Sequence, residues 1–456
     1  MNFKMPHTLT LLFYLMVAAL LLTWIVPQGS YETELVNGRD IVQPGTFEIA
    51  DDREFMTPIE LFTAVPRAFA DAQFIIFFLF IIGGVLAIIR KTGTIDALLG
   101  RLLNKLGGRP ALLIFLVVFV FAFTSNLMGA SAEYIPFVLI LAALCRTMRM
   151  DTMTAVGMII AGYGIGYGAA AFNQYTVIVA QDIANIQTYS GWGVRLGLLV
   201  PFVMIGAHHV WSYARRVQSD PTVSLTKGTD QESAAVITDY PDLGWKHIII
   251  TAAFLTALGI GVWGIATRGW YLNELGAAFL ILGVFTAFIG KMDPSIVAKE
   301  FVRGAKDLTE TALLVGIARG IALIMEEGQI LHTIVHAMSV PLEMLGPELA
   351  AVGMMLMQTV INFFVSSGSG QAFLTMPLMV PLGDILGVSR QVAVQAFLYG
   401  DGFANMIVPT NPVLMGILGM AGVSYNRWFR FCLPLLLKLL AFAAVAIVGM
   451  VVFGFS

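Results

Sequence analysis

Apolar stretches long enough to cross a lipid bilayer recur along the whole of this 456-residue chain. A membrane-spanning helix needs about 20 consecutive, mainly apolar residues. Nine stretches meet that requirement, at residues 8–26, 73–89, 152–183, 194–211, 247–267, 274–290, 308–325, 391–420 and 430–453. Only 12% of the residues are charged, which is about half the share in an ordinary soluble domain. The chain is therefore predicted to be a polytopic protein whose partner is the lipid bilayer.

The polar stretches are too short to house a separate catalytic domain, since the longest cover residues 28–56 and 214–246. The formal net charge of −3 comes without a basic block for a polyanion. Both cysteines, Cys145 and Cys432, have apolar neighbours, so a disulfide framework is not expected. A nucleotide-binding P-loop motif is also missing from the sequence. These features exclude a soluble enzyme, a nucleic-acid binder and a disulfide-rich domain, and we expect no cofactor or transition metal.

Two further apolar regions, residues 110–145 and 349–386, are interrupted by polar residues near their centres. Each is too long for one span and too short for two spans joined by a turn. We interpret both as re-entrant hairpins, in which two half-helices dip into the membrane and return to the same side. Non-helical backbone at that depth must be buried in protein or line a wet cavity. The polar centres are therefore predicted to lie inside the protein.

The positions of the basic residues support this arrangement through the positive-inside rule. If the N-terminus is cytoplasmic and neither hairpin crosses, most of the 26 lysine and arginine residues fall on cytoplasmic segments. Basic residues flank the first hairpin on both sides, whereas acidic residues flank the second. The sequence therefore predicts an all-α fold with about nine crossings and two hairpins, the N-terminus being cytoplasmic and the C-terminus extracytoplasmic.

Short motifs recur at a separation of 236 positions. Tyr163-Gly-Ile-Gly-Tyr167 aligns with Tyr399-Gly-Asp-Gly-Phe403, and Asn126 aligns with Asn362. The first copy begins with an inward-going span and the second with an outward-going one, as in the inverted-topology repeats of many secondary transporters. The predicted divisions are a first span and extracytoplasmic segment (1–72), an N-terminal repeat (73–213), a cytoplasmic linker with connecting spans (214–307) and a C-terminal repeat (308–456).

Polar residues cluster at the middle of both hairpins and of two interrupted spans. The ends of half-helices expose backbone N–H and C=O groups, which bind anions and cations respectively. The predicted substrate-binding residues are Ser125, Asn126, Gly129, Ser131, Glu133, Asn173, Gln174, Asn362, Ser366, Ser367, Gly368, Ser369, Gln371, Thr410 and Asn411. The predicted ligands of a coupling ion, Na⁺ or H⁺, are Asn126, Glu133, Gly164, Gly166, Asp401, Asn405 and Asn411.

Glu133 and Asp401 are the most informative of these residues, because each is the only charge in a long apolar region. A lone charge within the membrane is costly unless it is paired or hydrated, so it marks a functional site by default. Glu133 is predicted to bind a substrate ammonium group, a cation or a proton, and Asp401 is predicted to bind a cation or a proton. The alternatives are that Glu133 caps the helix that follows it, and that Asp401 forms a structural salt bridge or a helix cap.

Weaker signals come from one arginine and two histidines. Arg319 lies within a span and needs a partner, for which Glu310 or Glu326 is expected, with a substrate carboxylate as the other reading. His332 and His336 have the spacing of a metal-binding pair. No third ligand accompanies them, so we interpret their segment as an interfacial amphipathic helix.

Several of these motifs, together with Trp24-Ile-Val-Pro27, Met325-Glu-Glu-Gly-Gln329 and Pro409-Thr-Asn-Pro412, resemble the YfcC-type branch of the anaerobic C4-dicarboxylate carrier family. The resemblance covers nearly the whole chain. It implies a bacterial inner-membrane protein of the ion-transporter superfamily, with two inverted repeats, two hairpins and a homodimeric assembly. It also implies elevator movement of a transport domain against a fixed scaffold. The family name suggests dicarboxylates, although some similar proteins are thought to exchange basic amino acids.

The charges bear on that choice of substrate. A dicarboxylate site would favour positive groups, whereas the four polar centres contain Glu133 and Asp401 and no lysine or arginine. We therefore predict a secondary transporter of a basic amino acid, working by uptake coupled to Na⁺ or H⁺ or by exchange. A C4-dicarboxylate carrier of the same fold is the alternative, with the acids binding the coupling ion. An ion channel and an intramembrane enzyme are remote alternatives.

Overall fold

The computed structural model describes residues 8–36, 39–43, 45–51, 55–97, 101, 109–173, 175–227, 241–268, 270 and 272–455. These parts are mostly helical, as expected for a polytopic membrane protein. The helices are α1 (Thr8–Ile25), α2 (Pro58–Asp71), α3 (Gln73–Lys91), α4 (Pro110–Met128), α5 (Phe137–Thr147), α6 (Thr152–Gly168), α7 (Val177–Ile183), α8 (Trp192–Ser219), α9 (Trp245–Arg268), α10 (Leu272–Ile289), α11 (Pro294–Asp307), α12 (Thr309–Glu327), α13 (Leu331–Ser339), α14 (Pro347–Ile361), α15 (Gly368–Leu386), α16 (Arg390–Ala404), α17 (Pro412–Met420) and α18 (Tyr425–Val452).

Four short strands were missed by the all-α prediction. β1 (Gly29–Ser30) pairs antiparallel with β4 (Glu48–Ile49), and β2 (Thr33–Val36) pairs antiparallel with β3 (Arg39–Val42). They form in the polar segment between α1 and α2, where no apolar periodicity marks them.

The two histidines of α13 hold this segment in place. The Tyr31 backbone N–H donates to His332 Nδ1 at 3.1 Å, and the Tyr31 hydroxyl lies 2.9 Å from His336 Nδ1. The ring of Phe47 stacks on His336 with a centroid separation of 4.1 Å. The histidine pair therefore joins α13 to the strands.

Five helices within the described ranges are long and apolar enough to cross a membrane, namely α3, α4, α8, α10 and α18. A sixth is obtained if α11 and α12, which meet at a bend of 43°, are taken as one span. The first apolar stretch and the one at α9 form shorter apolar helices, and two of the nine predicted spans are broken into pairs, α6–α7 and α16–α17. The figure of about nine crossings stays a prediction.

In both predicted hairpins, residues on either side of the polar centre contact each other. In the first, the ring of Tyr134 stacks on Phe121 with centroids 4.4 Å apart. In the second, Gln371 Nε2 donates to Gln358 Oε1 at 2.8 Å. The prediction of two half-helices was wrong for α4 and for α15, which have 19 residues each. Thr124 does not interrupt α4, because its hydroxyl donates to the Val120 carbonyl at 2.8 Å within the same helix.

The breaks in the two interrupted spans meet each other. A Cβ atom on Gly402 would lie 2.2 Å from the Gly168 backbone nitrogen. Only glycine at position 402 therefore allows α16 and α6 to approach so closely. The Tyr163 hydroxyl donates to the Asn405 carbonyl at 3.2 Å, which joins α6 to the break after α16. The break between α6 and α7 therefore lies next to the break between α16 and α17.

Helices of equal length recur at the separation seen in the sequence. α2 and α11 both have 14 residues and begin at Pro58 and Pro294, 236 positions apart. α3 and α12 both have 19 residues and again begin 236 positions apart. α8 and α18 both have 28 residues and begin 233 positions apart. Such a series is what a repeat requires, and the inverted orientation of its copies stays a prediction.

Candidate functional site

A cavity of about 660 Å³ lies between the turns of the two predicted hairpins, the breaks after α6 and α16, and the helices α2 and α12. We call the two turns the first tip (residues 129–133) and the second tip (residues 365–370). Its lining combines backbone of glycine-rich turns with hydroxyl, amide and charged side chains. Nine of the residues predicted from sequence line it, namely Gly129, Ser131, Glu133, Ser366, Ser367, Gly368, Ser369, Asn405 and Asn411. The cavity thus brings together residues from both predicted repeats.

The first hairpin tip turns at Gly129, which ends α4 in a left-handed conformation with φ of 69°. A Cβ atom there would lie 2.7 Å from Asn173 Oδ1, so a larger residue would be excluded by both backbone and packing. The Tyr167 hydroxyl donates to the Gly129 carbonyl at 2.6 Å. The tip is therefore fixed against α6 and its break.

Glu133 follows this turn and lies at the cavity wall. Its Oε2 atom accepts a hydrogen bond from the Ser131 backbone N–H at 2.6 Å. It belongs to a short 3₁₀ helix, Ala132–Tyr134, which precedes α5. The contact with Ser131 holds the backbone of the turn, and neither Ala132–Tyr134 nor α5 has a side-chain cap, so the predicted alternative, a cap for the helix that follows, is not observed. Glu133 lines the cavity, and its turn contact is compatible with ligand binding, because a carboxylate has about four acceptor positions.

The second hairpin tip forms the start of α15. Ser367 is its N-cap, and its hydroxyl accepts from the Gly370 N–H at 3.3 Å. Ser366 Oγ donates to the Thr410 carbonyl at 3.1 Å, and Thr410 Oγ1 donates to the Phe363 carbonyl at 2.8 Å. Thr410, predicted to bind substrate, therefore lies behind the cavity and ties the tip to the break before α17.

Asp401 is fully buried beneath the second tip. Its Oδ1 atom accepts from Asn362 Nδ2 at 2.9 Å and from Asn405 Nδ2 at 3.2 Å. Its Oδ2 atom has no hydrogen-bond partner within the described chain, and the same holds for Asn362 Oδ1 and Thr176 Oγ1. A Cβ atom on Gly368 would lie 3.2 Å from Asp401 Oδ2 and 2.6 Å from Thr176 Cγ2, so these groups border the start of α15. Oxygen ligands of this kind suit a hard cation, and the carboxylate could equally hold a proton.

A related but neutral arrangement lies beneath the first tip. Asn126 is fully buried, and its Nδ2 donates to the Ala169 carbonyl at 2.8 Å. Asn173 Oδ1 accepts from the Tyr175 N–H at 2.8 Å. Asn126 Oδ1 and Asn173 Nδ2 have no partner among the residues that the structure describes. Ser125 is buried beside them and bonds the Ala130 carbonyl.

Three other predicted residues do not line the cavity. Gly164 and Gly166 lie inside α6, where a Cβ atom would meet the side chain of Met406 and the Ala122 carbonyl respectively, so both permit close packing. Gln371 joins the limbs of the second hairpin through Gln358. Gln174 lies outside the described residues. A role for the two glycines in ion binding stays a prediction.

Sequence reasoning missed the charged wall that α2 and α12 contribute. Arg319 Nη1 lies 3.0 Å from Glu326 Oε1, and Arg319 Nη2 lies 3.1 Å from Asp71 Oδ2. Glu326 was a predicted partner and is confirmed, whereas Asp71 was not foreseen. All three line the cavity, which corrects the assumption that no cation stands beside the polar centres. Tyr163, Tyr167 and Tyr175 also line it; the first two had been noticed only as markers of the repeat.

Comparisons with known proteins identify the family. The family model described as "C4-dicarboxylate anaerobic carrier" matches residues 5–452. The Escherichia coli protein named "Putative basic amino acid antiporter YfcC" is 32% identical over 100% of this chain and 98% of its own length. An uncharacterized Haemophilus influenzae protein is 26% identical over 98% of this chain and 97% of its own length.

Among solved structures, the YdaH transporter of Alcanivorax borkumensis aligns with 99% of each chain at 15% identity and a TM-score of 0.44. The match to the family model spans nearly the whole sequence, and the resemblance inferred from the motifs is confirmed by it and by the Escherichia coli relative. The chain therefore belongs to the C4-dicarboxylate anaerobic carrier family, and it is a multi-pass membrane transport protein rather than an enzyme.

Proposed function

We propose that this chain is a secondary active transporter of basic amino acids, and that the cavity between the hairpin tips is its substrate site. The observation that carries the proposal is the charge of the cavity wall. Its described lining has three carboxylates, on Asp71, Glu133 and Glu326, against one cation, Arg319. A ligand with two positive groups and one carboxylate complements that set, and a basic amino acid has this composition.

The name of the Escherichia coli relative points to the same class of substrate. The volume of about 660 Å³ also lies within the usual range for small-molecule sites. Hydroxyl groups of Ser131 and Ser369 and the start of α15 supply further polar contacts. The proposed substrate-binding set is therefore the cavity-lining part of the residues predicted from sequence, with Arg319 added.

We further propose that Asp401 takes up the coupling cation, Na⁺ or H⁺. It is buried and lies below the cavity, separated from it by the start of α15. A cation bound there would compensate the carboxylate and complete the coordination of the free oxygens of Asn362 and Thr176. A cation bound at Asp401 would favour the conformation of the second tip that binds substrate. The cation site and the substrate site would then be energetically coupled.

The remaining features of the proposal concern movement and assembly. The hairpins and broken helices would form a transport domain that moves as an elevator against a scaffold containing α2, α3 and α12. The repeats would have inverted topology, with about nine crossings in the bacterial inner membrane and a cytoplasmic N-terminus. A homodimer is proposed because the family resemblance implies it.

A C4-dicarboxylate substrate is the second candidate. The family description suggests it, and Arg319 at the cavity wall is the observation that favours it. A dicarboxylate would, however, bring two further negative charges to a wall that already has a surplus of carboxylates.

Exchange by the purified protein in proteoliposomes tests the proposal. Vesicles loaded with unlabelled arginine, lysine or ornithine are expected to accumulate external radiolabelled arginine, whereas vesicles loaded with succinate are not. Imposed Na⁺ and proton gradients, applied separately, identify the coupling ion. Exchange of labelled succinate without exchange of arginine would contradict the basic amino acid proposal and support the dicarboxylate alternative.

A further inference from the structure

Arg319 is held by two acids that come from different helices. Asp71 is the last residue of α2, and Glu326 lies two turns after Arg319 on α12. Each carboxylate accepts from the guanidinium at 3.0–3.3 Å. The guanidinium has five N–H donors in a planar fork that can hold two carboxylates side by side. The arrangement leaves one acid in excess of the single cation.

A neighbouring ion pair on the same two helices shows the contrast. Arg67 of α2 and Glu327 of α12 pair one to one at 2.6 Å, and neither lines the cavity. This pair also joins α2 to α12. Arg319, in contrast, faces the cavity together with both of its partners, and the side chains are partly exposed there, at 30% for Arg319, 44% for Asp71 and 36% for Glu326.

We infer that Arg319 is the carboxylate-binding residue of the substrate site, and that the substrate carboxylate replaces one of its two acidic partners. The substrate carboxylate takes the place of an acidic side chain, so the positive charge of the guanidinium stays paired with two carboxylates when substrate binds or leaves. The inference rests on the proposed function, because it assigns the orientation of a basic amino acid in that same cavity.

The displaced acid then gains a role. Once released from Arg319, Asp71 or Glu326 lies beside the bound carboxylate, where the α-ammonium group of an amino acid must also lie. The α-carbon end of the substrate is thus bound at the wall of α2 and α12. Its distal cation extends toward Glu133, which lines the same cavity at the first hairpin tip. An amine without a carboxylate would leave Arg319 with both acids and would lose this end of the site.

Competition between arginine and agmatine tests the inference, because agmatine is arginine without its carboxylate. The measured quantity is the ratio of their inhibition constants against labelled arginine in proteoliposomes. The unmodified protein is expected to prefer arginine by about 10-fold to 100-fold, the usual worth of a hydrogen-bonded charge pair. In Arg319→Gln this preference is expected to fall to within about threefold of unity. Arginine loses the contact between its carboxylate and the guanidinium, and agmatine never makes that contact.

The ratio separates recognition from folding, because a structural defect lowers the binding of both compounds equally. Arg67→Gln breaks the neighbouring ion pair and is the matched control, in which the preference should stay as in the unmodified protein. Should Arg319→Gln fold poorly, Arg319→Lys provides the test, since it keeps the charge without the fork and is expected to give an intermediate preference. An undiminished preference in either Arg319 variant would overturn the inference. A protein that binds neither compound but transports succinate would instead overturn the proposed function.

Discussion

Transport by the Asp401→Asn variant is expected to fall by more than about 100-fold, which is the cost of losing one charged ligand worth about 3 kcal/mol. Asp401 is fully buried, and its Oδ2 atom has no hydrogen-bond partner in the described ranges. An uncompensated charge in that position is costly, so we propose that a cation or proton occupies it during the cycle. Asparagine keeps the shape and removes the charge.

The measurement is arginine uptake into proteoliposomes driven by an imposed Na⁺ or proton gradient. Asp384→Asn is the matched control. Asp384 lies near the end of α15 and forms an ion pair with Arg390 at the start of α16, and 43% of its side chain is exposed. Such exposed pairs contribute little to stability, and this variant should transport normally. Thermal unfolding of both variants in detergent establishes that they fold. Undiminished gradient-driven uptake by Asp401→Asn would remove Asp401 from the coupling mechanism.

Glu133→Gln is expected to abolish the preference for arginine over citrulline. Citrulline has nearly the shape of arginine but a neutral end group, so the ratio of their inhibition constants isolates the contact with the distal cation. A preference of about 10-fold to 100-fold in the unmodified protein should fall close to unity in the variant. Glutamine can still accept the Ser131 N–H hydrogen bond that Glu133 accepts at 2.6 Å, so the hairpin turn is preserved.

Glu343→Gln is a suitable control, since Glu343 is exposed in a short 3₁₀ helix, Val340–Met344, before α14. It removes the same charge at a distance from the cavity and should leave the preference unaltered. If Glu133→Gln discriminated between arginine and citrulline as the unmodified protein does, the role of Glu133 would be limited to holding the turn through the Ser131 N–H. The agmatine measurement tests whether the substrate carboxylate binds Arg319, and the citrulline measurement tests whether the distal cation binds Glu133.

Much of the lining of the candidate site could be predicted because charge is scarce in the sequence. Glu133 was recognisable as an isolated acid in an apolar region, and the structure places it at the cavity wall. The glycine and serine run of residues 366–370 indicated an irregular backbone, and it lines the same cavity. Both inferences depend on local sequence and on the cost of polar groups in a membrane.

The charged wall could not be predicted in the same way. Asp71 and Arg319 are 248 positions apart, and no local pattern brings α2 against α12. Glu326 was within reach because it shares a helix face with Arg319 two turns away. The strands between α1 and α2 were missed for a related reason, since short polar hairpins have no apolar periodicity to reveal them. Burial behind the tips, as for Gln371 and Thr410, likewise depends on packing between distant segments.

Protection of a cysteine at Ser369 tests most directly whether the cavity is the substrate site. Ser369 lines the cavity at the second tip, and both native cysteines are buried, so a thiol reagent should report on Ser369→Cys alone. Ser219→Cys, at the exposed end of α8, is the control. Arginine at ten times its Kd is expected to slow modification of Ser369→Cys about tenfold and to leave Ser219→Cys unchanged. Modification of Ser369→Cys at the same rate with and without saturating arginine, in a protein that still exchanges arginine, would contradict the account.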